Sequence, residues 1–130
     1  MPWLVDRQEV ARGRVSRYDW AMDLLRESIA TRKTACEQER LRVRARLAAA
    51  LKVLLPEGSR VWVYGSLVEP GRFREWSDVD LALDADPPGM SIYLLASLLA
   101  ERCERHVDVC LIGETRLAAT IRQRGEAWTV

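Results

Sequence analysis

A chain of 130 residues, 48% hydrophobic and 30% charged, is enough for one soluble globular domain, or one domain with an appendage. Three cysteines (Cys36, Cys103, Cys110) with no C-x-x-C pair make neither a disulfide framework nor a zinc site, and fit free thiols in a reducing compartment. The net charge of +1 hides an asymmetry: residues 1–60 carry thirteen Lys and Arg against eight acids, and residues 61–130 carry seven against eleven. The opening M-P-W-L-V-D-R is too short and too charged for a signal peptide, and no apolar run approaches the length of a membrane span. A cytoplasmic protein is expected.

Residues 4–55 contain no Pro and one Gly, Gly13, and read as helix, in one or two segments. Tyr18, Met22, Leu25, Ile29, Cys36, Val43, Leu47 and Leu54 recur at steps of three, four or seven, which places them on one stripe. Arg32 and Glu39 interrupt that stripe, so packing against the domain or a partner helix fits better than a two-stranded zipper. The arginines alternate with Glu and Asp, as on a solvated helix face, and direct nucleic-acid binding is not expected. Pro56-Glu57-Gly58 ends the helix.

Arg60–Tyr64 (R-V-W-V-Y) reads as a first strand. Gly65-Ser66 opens a short turn, broken by Pro70-Gly71, and 72–77 is a polar loop. Asp78–Leu83 alternates strictly, with Asp78, Asp80 and Ala82 on one face and Val79, Leu81 and Leu83 on the other. Ser91 caps a helix with Ile92, Leu95, Leu99 and Cys103 inward. Val107–Ile112 is a strand carrying Asp108. Residues 114–124 form a last helix with Leu117, Ala118 and Ile121 inward, and a short strand at 127–130 closes the chain. The expected fold is α/β of the α+β kind: a small mixed β-sheet covered by helices, with a helical arm over 1–57 and a core over 58–130.

Two aspartates two apart in a strand leave the same face roughly 7 Å apart and repel. A divalent cation reverses the sign of that interaction. Mg²⁺ is the natural candidate, because it takes carboxylate and phosphate oxygens. Asp108, on a neighbouring strand, can complete a second site, and two ions can clamp the oxygens of an in-line phosphoryl displacement. Gly65 allows close backbone approach, and the N–H groups of the turn at Ser66 can face a phosphate. Each feature alone is an ordinary turn or strand end; their conjunction points to an Mg–nucleotide triphosphate site. A phospho-receiver domain would need a late lysine, and none follows Lys52. His106, at a helix–strand junction, reads as exposed and structural; Trp62 and Trp76 read as core or rim packing around the first two strands, with the flank of a base, beside Asp78, as the alternative for Trp76.

The pattern V-W-V-Y-G-S-L, then E-W-S-D-V-D-L-A-L, then a later strand aspartate resembles the minimal nucleotidyltransferase family of the DNA polymerase β superfamily, across residues 60–130. The resemblance implies the nucleotidyltransferase fold, with Gly65 and Ser66 holding the triphosphate of ATP and Asp78, Asp80 and Asp108 binding two Mg²⁺ ions. It implies transfer of AMP to a hydroxyl, with pyrophosphate leaving. Small members of this family act as antitoxins toward a HEPN-domain partner, either by adenylylating it or by binding it. By that resemblance the chain is either the transferring enzyme or a binding module with a weakened site, and the arm is a surface for the partner or for self-association. One departure stands out: Glu69 and Pro70 occupy the place where the family has a basic residue, and Arg72 or Arg74 is the expected replacement.

Overall fold

The strand Arg60–Tyr64 (β1) is the centre from which the rest of the structure is built. It is a computed structural model that describes residues 17–130; the expected helix over residues 4–16, with Gly13, lies outside them. β1 pairs antiparallel with Val79–Leu83 (β2) on one side and with Glu126–Thr129 (β4) on the other. β2 pairs in parallel with Val107–Leu111 (β3), so the sheet order is β3-β2-β1-β4. Mixed strand direction follows from the connections: a turn and loop join β1 to β2, whereas the parallel pair needs a helical crossover. This is the expected α+β architecture, consistent with a nucleotidyltransferase-like fold.

Three helices complete the described chain. The first, α1, is a single helix over Arg17–Leu54. The second, α2, covers Ile92–Cys103, and Ser91 caps it by accepting a hydrogen bond from the Leu94 amide at 3.1 Å. The third, α3, is Ala118–Arg124. It starts later than residue 114, where the alternation suggested, because the Thr115 hydroxyl accepts from the Leu117 amide and forms a local turn that competes with helix. Leu117 is consequently exposed, while Ile121 is buried. Among the described residues no helix is long and apolar enough to cross a membrane.

By contacts the chain divides into Met1–Ala35 and Cys36–Val130. In the second unit, Val43, Leu47, Ala50 and Leu51 of α1 join Leu95, Leu99 and Cys103 of α2 over one face of the sheet, on Val61, Val63, Val79 and Leu81. A smaller cluster forms on the other face, where Ile121 meets Ala82 and Ile112, with Trp62, Tyr64 and Cys110 at its margin. The expected stripe of α1 is therefore divided: Cys36, Val43 and Leu47 are buried, whereas Tyr18, Leu25 and Ile29 are exposed.

Candidate functional site

Strand register brings the predicted acids together. Asp80 pairs with Asp108 across the parallel β2–β3 ladder, and Tyr64 pairs with Asp80 across β1–β2. Side chains of register partners share a face, so Asp80 and Asp108 are neighbours there. Asp78, just before β2, lies two residues back on the same side. The chain end of β1 and the starts of β2 and β3 thus coincide at one edge.

Gly65 is where the turn meets the carboxylates. Its φ is +77°, a conformation that favours glycine, and a Cβ placed there would lie 2.7 Å from Asp80 Oδ2. Gly65-Ser66 opens a 3₁₀ turn, Gly65–Val68, whose buried Leu67 anchors it in the core. Three α1 residues hold this turn from behind. Arg40, 7% exposed, donates from Nη1 to the Leu67 carbonyl at 2.9 Å and from Nη2 to Glu37 at 2.6 Å. Glu37 in turn accepts from the Gly71 amide, and Arg44 bridges the Leu67 carbonyl and Glu126. The Arg40 guanidinium and the Gly71 amide hold the Glu37 carboxyl below its ordinary range.

The loop from Arg72 to Ser77 is less polar than its composition suggests. Phe73 is fully buried, and the Arg105 guanidinium lies 4.4 Å from its ring centre. Arg105 Nη1 also donates to the carbonyls of Glu75 and Ser77 at 3.0 and 2.8 Å. One arginine at the end of the α2–β3 connection therefore fixes the chain leading into Asp78. Trp76 on the same loop is 78% exposed and packs on nothing in the core, contrary to the packing role expected for it. Trp62 does pack, on the smaller cluster.

Glu69, where a basic residue was expected, is paired with Arg72. Arg74 donates instead to the Gly71 and Phe73 carbonyls. Arg72 thus offsets the Glu69 charge, and neither it nor Arg74 stands as the free basic replacement that was expected.

Electrostatics at the edge match a cation-binding role. Burial first, then the nearby Asp108 and Asp78 charges, push the Asp80 carboxyl above the ordinary aspartate range. Tyr64 is raised as well, chiefly by burial and by its contact with Cys110, with the Asp80 and Asp108 charges adding to it. A half-buried acid beside two further acids is an arrangement that a divalent cation relieves. Oxygen-rich donors of this kind fit Mg²⁺.

The residue that sequence reasoning missed is His106. Its Nε2 lies 2.9 Å from Asp108 Oδ1, and Asp78, His106 and Asp108 offer ligand atoms all within 4.8 Å of one another. The signal was present in the spacing: H-V-D on β3 repeats the period of D-V-D on β2. Only the parallel register turns those two periods into one patch.

No family model and no curated protein matches this sequence significantly. Among solved structures, a chain described as "Crystal structure of the toxin-antitoxin with AMP-PNP" is similar in fold. It aligns with a TM-score of 0.52 at 19% identity, over 66% of this chain and 73% of that one. At that identity the likeness is one of fold.

Proposed function

We propose that this chain is a Mg²⁺-dependent nucleotidyltransferase that moves AMP from ATP to a hydroxyl of a partner protein, as the antitoxin of a HEPN-domain toxin. The observation that carries the reading is the pairing of Asp80 with Asp108 while Gly65 rests against Asp80. The solved structure similar in fold is a toxin-antitoxin with AMP-PNP, whose ligand is an ATP analogue, and this supports the same reading.

In this proposal Asp78, Asp80 and Asp108 hold Mg²⁺, which when bound neutralises phosphate charge and favours the alkoxide form of the acceptor. Gly65 and Ser66 present the backbone of the turn to the triphosphate, and no side chain at 65 stands in its way. The acceptor oxygen forms a bond to the α-phosphorus as the bond to pyrophosphate breaks, and the hydroxyl proton passes to solvent. Arg40, Arg44 and Arg105 keep the turn and loop in place without touching the reacting groups. The arm, residues 1–57, supplies the surface for the HEPN partner or for self-association.

Incubation with α-labelled ATP, Mg²⁺ and the protein encoded beside it tests the proposal. Label moves to the partner with the native chain and not with Asp80→Asn or Asp108→Asn. The Glu69–Arg72 pair favours a second reading, because it leaves no free basic side chain where the family has one: the chain then neutralises its partner by binding alone. Stable complex formation with no transfer in any variant selects that reading.

A further inference from the structure

The parallel register places four side chains in two rows. Asp80 faces Asp108 and Val79 faces Val107, so one step back Asp78 comes opposite His106. Asp78, His106 and Asp108 offer one donor atom each within a mutual 4.8 Å, and all three are exposed to solvent. An imidazole nitrogen in such a set changes which cation it favours. Mg²⁺ prefers oxygen donors, whereas Mn²⁺, Co²⁺ and Zn²⁺ accept imidazole readily and bind more tightly to mixed nitrogen–oxygen sites.

We propose that Asp78, His106 and Asp108 form a mixed nitrogen–oxygen site that takes a first-row transition dication in preference to Mg²⁺, with His106 as a direct ligand. This rests on reading the carboxylates as a cation site, and it adds a ligand and a metal preference to that reading. His106 Nε2 already lies 2.9 Å from Asp108 Oδ1. An octahedron with bonds of about 2.1 Å has edges of roughly 3 Å, so this separation suits two adjacent ligands of one ion. Ligation requires the Nε2 lone pair, hence the tautomer with its proton on Nδ1. Asp80, more buried, lies against Gly65 beside this site.

The test uses the full chain after chelator treatment, with Mn²⁺ or Mg²⁺ alone as the probe. Free Mn²⁺ is followed by its spin-resonance signal, and nitrogen coupling to bound Mn²⁺ is read by pulsed spin resonance. The expected result is binding of Mn²⁺ about tenfold or more tighter than Mg²⁺, with nitrogen coupling present. In His106→Ala the coupling disappears, Mn²⁺ affinity falls about tenfold, and Mg²⁺ affinity stays within about twofold. An unchanged thermal melt without metal shows that this exposed substitution leaves the fold intact. Mn²⁺ binding without nitrogen coupling, or with affinity indifferent to His106→Ala, overturns the inference, and His106 is then only a surface partner of Asp108. Label transfer with Mg²⁺ in that case still supports the transferase. Loss of all cation binding overturns both.

Discussion

The two faces of the β1–β2–β3 sheet are built from the same fifteen strand residues and do opposite things. On one face Val61, Val63, Val79 and Leu81 are completely buried under α1 and α2. On the other, Trp62, Tyr64, Asp80 and Cys110 are half-buried and Asp108 is exposed, with the seven-residue α3 packed on its Ala82–Ile112 part and the Gly65 turn against Asp80. Alternation along a strand makes this separation possible: stability is concentrated on one side, and the other is free to carry charges that destabilise the empty protein. A sheet packed equally on both faces could not hold three carboxylates at one edge.

That contrast can be broken from either side. Leu81→Ala, on the covered face, should lose about 2–5 kcal/mol of stability through the cavity it leaves, measured by denaturant unfolding. Asp80→Asn, one residue away, should do the reverse. The Asp80 pKa is raised in the fold, so its contribution is favourable at low pH and is lost as pH rises through the raised value. At neutral pH with chelator the Asn variant should therefore melt no lower than the native chain, and a lower melt would show that Asp80 has a structural role. Gly65→Ala should lose about 1–3 kcal/mol, from a positive φ combined with a Cβ driven against Asp80, and should also weaken Mg²⁺ binding measured by calorimetry. Arg105→Ala should lose about 1–3 kcal/mol by stripping the donor from the loop carbonyls, visible as faster amide exchange over residues 74–78. The smallest effect is acid sensitivity at the Arg44–Glu126 pair. Arg44 holds the Glu126 carboxyl below its ordinary value of 4.5, so the stability it lends is complete above that value and fades as pH falls through the lowered one. Because the pair is partly exposed, Glu126→Gln should cost less than about 1 kcal/mol at pH 7, and the gap to the native chain should close on acidification.

Much of this was legible in the residues. V-D-L-A-L announced a strand with two dissimilar faces, Ser91 announced its helix, and Gly65-Ser66 with the D-x-D marked an edge where charge gathers. The extent of the buried face of α1 was not legible, because apolar residues recur on the stripe both before and after the Arg32 and Glu39 interruptions, while Tyr18, Leu25 and Ile29 are exposed and Cys36, Val43 and Leu47 are buried. Arg40 and Arg44 looked like part of a solvated helix face; their value, like that of Arg105, lies in carbonyls of the turn and loop that periodicity cannot locate. The packing reading favoured for Trp76 fails because, although aromatic residues next to strands usually pack, Phe73 takes the buried place in that loop. His106 escaped for another reason: a histidine gains meaning from what stands across the ladder, and the spacing of one strand says nothing about its neighbour's register.

The β2–β3 ladder has a consequence for how this chain can change over time. Between Leu83 and Val107 the polypeptide makes a crossover through α2, and the buried Val107 sets the register that brings Asp108 opposite Asp80. Adding or deleting a single residue near its end without a compensating bulge would present Val107 or Val109 in place of Asp108, turning the acid into the core. Length changes confined to the largely exposed 84–91 loop leave this pairing intact, whereas a one-residue slip of β3 itself loses the buried Val107 and the placing of Asp108 together.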